Sequence, residues 1–220
     1  MKLDGLNVVL AVRSPGNMAQ TKMLMLMWVV MMVAMMAPAV APSYLLFTRL
    51  DRAAKIAGLL DAAAYLVGYL AIWSIFGIAA AAAQYALGIF KLMSGGMALS
   101  SHVLWGAVLI AAGAYQWSPL KARCVARCRS PLGFLMNEWR GGPGGALLVG
   151  WRYGLSCVGC CWLLMCLMFV VGAMNLAWAL VLSAYVPLER LVPFGRNLDA
   201  VVGLALAAWG VWLIVGAGPS

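Results

Sequence analysis

Residues Ala146-LLVGWRYGLSCVGCCWLLMCLMFVVGAMNLAWALVLSAY-Val186 are apolar almost without interruption, with Arg152 the one charge in the run. As a single helix, at 1.5 Å per residue, the run would be about 60 Å long, twice a bilayer core of roughly 30 Å. It must therefore fold back. Gly172-Ala173-Met174-Asn175 is where a break is expected, because Gly and Asn punctuate helices.

The rest of the chain has the same character. Of 220 residues, 65% are hydrophobic and 10% are charged. The mean hydropathy is +0.97. Soluble domains are nearer half apolar and a quarter charged, and a core of this size cannot hide so much apolar surface. A soluble enzyme, a disordered chain and a nucleic-acid module are excluded. The expected fold is all-α, a polytopic transmembrane helix bundle of about six spans. Its apolar runs are Met23 to Leu46, Ala62 to Phe90, Met97 to Trp117, the two halves of Ala146 to Val186, and Asp199 to Val215. Pro38 and Pro42 should kink the first run, and the Ala79 to Ala83 block should allow close helix approach.

Residues 1–22 form an N-terminal segment with no evident signal peptide, and 23–217 a single membrane domain. Ser118 to Gly145 is read as a basic cytoplasmic loop carrying Cys124 and Cys128.

Fifteen Lys and Arg against six acids give +9. Arg49, Arg52, Lys55, Lys121, Arg123, Arg127, Arg129, Arg140, Arg190 and Arg196 fall on one side when loops alternate, and Lys2, Arg13, Lys22 and Lys91 on the other. The positive-inside bias puts the larger set in the cytoplasm and both termini outside. The basic surplus thus reads as anchorage to a lipid bilayer, and no nucleic-acid partner is expected. Arg152 should snorkel or pair with an acid, Asp61 being the other ionisable group nearest a span interior. Glu189 beside Arg190 reads as an interfacial pair.

Sulfur is the oddity: six Cys and 15 Met beside one His. On a helix Cys157, Cys161, Met165 and Met168 form one stripe with Cys160 on its flank. Met23, Met27, Met31 and Met35 recur every four residues on one face of the first run, with Met25, Met32 and Met36 on a second. Thiolates and thioethers are soft ligands that select Cu(I) over hard ions. Taken one by one, the methionines also serve as ordinary apolar filler and the cysteines as small hydrophobes. Cys124 and Cys128 lie on one side of a helical turn among Arg123, Arg127 and Arg129, cations that favour thiolates. Two thiolates leave a zinc site incomplete but suit two-coordinate Cu(I). His102 is a further candidate ligand, although a polar residue at a helix end is the plainer reading.

Four stretches carry a family resemblance: Trp28-VVMMVAMMA-Pro38, Gly113-AYQWSPLKARCVARC-Arg129 with Pro131 following, Gly154-LSCVGCCWLLMCLMFVVGAMNLA-Trp178, and Glu189-RLV-Pro193. With its C-x-G-C-C-W-x-L-M motif, the chain resembles a bacterial domain-of-unknown-function family of predicted metal-binding integral membrane proteins. The resemblance runs from about residue 23 to 196. It implies metal binding in the bacterial inner membrane. It puts Cys124, Cys128, Cys157, Cys160, Cys161, Met165, Met168, Met174 and Asn175 at motif positions, and leaves Cys166, Met23 and Met25 outside them.

The expected function is handling of a soft metal ion, Cu(I), by transport, delivery or storage. Cys157, Cys160, Cys161, Met165 and Met168 would form the site, Cys124 and Cys128 would exchange metal, and Met31 and Met35 on the first span would line the route. Met174 and His102 complete the candidate metal set. A metal-donor or acceptor protein, or a larger membrane complex, is the expected partner. With no nucleotide-binding motif the chain is not itself an ATP-driven pump, and catalysis is the less favoured reading. The alternatives are a membrane thiol–disulfide oxidoreductase using Cys157/Cys160 and Cys124/Cys128, which exchanges through mixed disulfides, and a non-catalytic assembly subunit.

Overall fold

A computed structural model describes residues 18–50, 57–90, 101–172, 175–192 and 195–216. Every regular element among them is helical. In chain order these are α1 (Met18–Leu50), α2 (Ala57–Ile89), α3 (His102–Gln116), α4 (Pro119–Arg129), α5 (Pro131–Glu138), α6 (Gly142–Cys166), α7 (Met168–Val171), α8 (Leu176–Leu191) and α9 (Gly195–Gly216).

Each of the six apolar runs yields a helix. Four segments are long and apolar enough to cross a membrane: Thr21–Leu50, Gly58–Ile89, Pro143–Val171 and Asn197–Gly216. A fifth qualifies if α3 and α4, bent by 62° where they meet, are taken as one broken span or a re-entrant pair. Helix α8 has 16 residues, about 24 Å of rise, less than the hydrocarbon thickness.

The long apolar run folds back where its length demands. Helix α6 gives way at Leu167 to the single turn of α7, and Gly172 follows with φ +98°. That left-handed conformation suits glycine and strains a residue with a β-carbon. Asn175 then caps α8, its side chain accepting from the Trp178 N–H at 3.4 Å.

Helix α1 stays helical through Pro38 and Pro42. Its buried face is Leu24, Trp28, Met32, Met36, Val40 and Phe47, with Met35 beside it. This is the second of the two methionine registers. Met23 on the first register is exposed, and Met27 and Met31 are only partly covered.

Helix α6 packs most extensively on α2. Two glycines bring the backbones together: a β-carbon at Gly68 would meet the Leu147 carbonyl at 2.2 Å, and one at Gly150 the Tyr65 carbonyl at 2.0 Å. Of the alanine block, Ala80 and Ala81 are buried. Helices α3 and α9 form a second tight pair, in which a β-carbon at Gly113 would lie 2.6 Å from the Gly203 carbonyl. Helix α2 thus supplies the main surface on which α6 rests.

The 118–145 segment, expected as a basic loop, folds instead as α4 and α5. Ser118 caps α4 by accepting from the Leu120 N–H, and Pro119 and Pro131 occupy first-turn positions where no N–H is needed. Arg152 pairs with Glu138 of α5, the acid partner expected of it. Asp61 is buried, and its Oδ1 has no hydrogen-bond partner among the described residues.

Candidate metal centre

The spacing of Cys157, Cys160 and Cys161 places all three thiols on the inward face of α6, and each is at most 2% exposed. Cys160 and Cys161 both donate to the Cys157 carbonyl at 3.0 Å. Met165 and Met168 continue the buried face one to three turns on, and both are fully covered.

Four other helices close on this stripe. From α2, the Tyr69 hydroxyl lies 3.2 Å from Cys157 Sγ and donates to the Met36 carbonyl of α1 at 3.3 Å. From α4, Cys128 is buried and its thiol is within hydrogen-bonding reach of Cys160. Cys124, one turn earlier, is half-buried. Its sulfur lies where a side chain at Gly159 would go, 2.7 Å from the β-carbon position. The glycine of the C-x-G-C-C motif thus makes room for a thiol from another helix. From α3, the Tyr115 hydroxyl donates to the Gly159 carbonyl. The two cysteine motifs, separate in sequence, form one cluster.

The fourth contribution comes from α8. Arg190 Nη2 donates to Cys157 Sγ at 2.9 Å and to Cys160 Sγ at 3.1 Å, and Nη1 lies 3.5 Å from the Ala39 carbonyl of α1. Arg190 is therefore no partner of Glu189 at an interface, and neither residue behaves as a solvated anchor. The cation against Cys157 and Cys160 is Arg190, while Arg127 is the one of the three local arginines whose charge acts on Cys124. Arg129 itself donates to the Glu189 carbonyl at 2.9 Å.

Glu189 faces a different site. Lys121 Nζ of α4 lies 2.9 Å from Glu189 Oε1 and 3.4 Å from Asp199 Oδ1 of α9, and also donates to Gln116. Tyr185 donates to Asp199 at 3.3 Å. Lys121, counted among the cytoplasmic anchors, is 1% exposed. Buried ammonium and carboxylate groups require partners of this kind.

Several candidates stand apart. His102 is exposed at the start of α3 and packs against Trp105 at 5.2 Å, about 20 Å along the helix from Tyr115. Met31 is partly buried on α1, and Met35 is buried with its carbonyl accepting from Ser183 at 3.0 Å. Cys166 is half-buried at the end of α6. Met174 lies outside the described residues.

All six cysteines are free thiols. Among the described residues, no group of three or more His, Cys, Asp or Glu side chains converges to hold a metal ion. What converges is a buried sulfur pair, Cys157 and Cys160, with Cys128 and Cys161 beside it and a cation against it. Such a donor set is soft, and chemically fits Cu(I) rather than Zn(II), Mg(II) or Ca(II).

A family model, PpoB2, described as a copper chaperone, matches residues 25–213. No curated protein and no solved structure matches the chain.

Proposed function

The chain belongs to the copper chaperone family PpoB2, and we propose that it does this work as an integral membrane protein, taking Cu(I) at the thiol cluster of α6 and handing it to an acceptor protein. The observation that carries the reading is the buried Cys157–Cys160 pair on α6, both sulfurs within 3.1 Å of Arg190 Nη2 and with Cys128 of α4 beside Cys160. Copper here is cargo, so the site has to release it as well as hold it.

The residues divide this labour. Cys157 and Cys160 are the primary ligands, with Cys161 and Cys128 able to share the ion. Cys124, half-exposed beside Gly159, is the thiol through which metal enters or leaves by ligand exchange. Met165 at the end of α6 and Met168 at the start of α7 extend the soft face. The membrane setting rests on the four long apolar helices and the basic surplus. In this reading α8 and the bent α3–α4 pair complete six spans in the bacterial inner membrane, with both termini outside.

The test is Cu(I) titration of the purified chain in detergent against a chromogenic chelator. One Cu(I) per chain is expected, lost when Cys157, Cys160 and Cys161 are all replaced by Ser. Stoichiometric binding that survives the triple substitution contradicts the site. A second reading, thiol–disulfide exchange, draws on the approach of Cys128 to Cys160 across two helices. A mixed disulfide trapped with a partner protein would favour it.

A further inference from the structure

Among the described residues, Arg190 is the charged side chain hydrogen-bonded to the thiol cluster. Its Nη2 faces two sulfurs, Cys157 Sγ at 2.9 Å and Cys160 Sγ at 3.1 Å. Nη1 lies 3.5 Å from the Ala39 carbonyl, and Nε has no hydrogen-bond partner among the described residues. The adjacent acid, Glu189, is turned to Lys121 at 2.9 Å, and among the described residues no carboxylate pairs with Arg190. A buried cation needs a counter-charge. The groups placed to supply one are the two sulfurs.

A cysteine binds a metal as its thiolate. Loading the pair with a monovalent ion therefore breaks two S–H bonds, forms two S–metal bonds and releases two protons to the medium. Two thiolates and one monovalent ion together carry a single negative charge. Arg190, which keeps its proton, brings that sum to zero. A thiolate sulfur has lone pairs enough for a metal bond and an N–H donor together, so the arginine stays where it is. A divalent ion on the same pair leaves one positive charge in excess, and a buried setting penalises it. A third thiolate would remove the excess. Among the described residues, however, no three Cys, His or acidic side chains converge to hold a metal ion.

We propose that Arg190 is the specificity-determining residue of the site: its fixed charge makes the Cys157–Cys160 pair neutral with a monovalent soft ion and not with a divalent one. The inference rests on the reading of this cluster as the copper site, and it names what that site rejects, Zn(II) above all. Softness alone does not make this choice, because thiolates bind Zn(II) as well as Cu(I). Arg190 touches no metal in this account. It acts through the two ligands, as a permanent counter-cation aimed at both.

The test measures Cu(I) and Zn(II) affinities by chelator competition, without oxygen, on the full chain in detergent. Wild type is compared with Arg190→Gln and Arg190→Lys. Gln keeps an N–H donor and removes the charge. It should bind Cu(I) about tenfold or more weaker and Zn(II) about tenfold or more tighter, as the loss of one charge from a buried set implies. Lys keeps the charge and should retain most of the wild-type preference for Cu(I) over Zn(II), even where both affinities fall. Arg190→Leu, also uncharged, takes the place of Gln if that variant does not fold. Equal weakening of both metals in the Gln and Lys variants would overturn the proposal, because Arg190 would then serve only the shape of the site. Tighter Cu(I) binding by Gln would overturn it as well. If the wild type binds no Cu(I), the copper reading itself fails and this inference with it. Wild-type Cu(I) binding with an unchanged metal preference in Gln removes the inference alone.

Discussion

Glu189 and Arg190 are adjacent in the chain, yet they serve two unlike buried sites. Glu189 joins Lys121, Asp199, Gln116 and Tyr185 in a network of hard nitrogen and oxygen partners, one ammonium shared by two carboxylates. Arg190 enters a cluster of soft sulfurs, with Nη2 on two of them. The first arrangement ties α3, α4, α8 and α9 together and has nothing to gain by opening. The second sets a cation against two soft sulfurs. In the proposed reading it is the second site, not the first, that takes up and releases copper.

Copper binding breaks this comparison most sharply. Replacing Cys157, Cys160 and Cys161 by Ser should abolish Cu(I) binding in a chelator-competition assay, a larger loss than the ~10–100-fold typical of residues that only support a metal ligand. Lys121→Met should leave affinity within about threefold, below the range typical of residues that orient a ligand. If the two variants lose copper alike, the sites are one functional unit and the distinction falls.

Stability should move the other way. Glu189→Gln leaves Lys121 without its closest buried counter-charge, and removing one partner of a buried pair costs ~3–5 kcal/mol. Adding Lys121→Met to Glu189→Gln should recover part of that loss, since neighbouring substitutions are not additive. Denaturant unfolding in detergent reads both, and a double variant that loses the full sum would show no coupling.

The two thiols of α4 sharpen the picture within the sulfur site. Cys128→Ser removes a buried neighbour of Cys160 and should weaken Cu(I) about tenfold. Cys124→Ser should slow metal transfer to a chelator, seen by stopped-flow, with equilibrium affinity nearly unchanged. The reverse pattern would make Cys124 the ligand and Cys128 the packing residue.

The smallest effects belong to supporting or remote groups. Tyr69→Phe deletes a hydroxyl shared between Cys157 Sγ and the Met36 carbonyl. It should cost ~1 kcal/mol of stability, the usual worth of one such bond. His102→Ala and Met31→Leu should leave Cu(I) affinity unchanged.

The parts of this arrangement legible in sequence are those fixed by local physics. The length of the Ala146 to Val186 run demanded a fold-back, and Gly172 supplies it at φ +98°. The i, i+3 and i+4 spacing of Cys157, Cys160 and Cys161 required one face, and that face is buried. What stayed hidden depends on distant partners. Lys121 and Arg190 resemble any loop cation until Asp199 and Cys157 are brought to them, across separations of 78 and 33 residues. The methionines of α1 recur every four residues in two registers, and periodicity cannot choose between them. Tyr69 bonding the Met36 carbonyl, and Trp28 and Phe47 on the Met32/Met36 side, mark the register that faces inward. The Gly113 to Arg129 and Glu189-RLV-Pro193 stretches, singled out by resemblance, are the sequence signals that Lys121 and Arg190 do more than anchor.

The central claim is that the α6 thiols hold the copper. Copper K-edge X-ray absorption on the Cu(I)-loaded chain, recorded for the wild type and for the Cys157, Cys160 and Cys161 to Ser variant, tests it most directly. The account predicts a first shell of sulfur alone in the wild type and no bound copper in the variant. A first shell containing nitrogen or oxygen, or the same sulfur shell in both proteins, would contradict it.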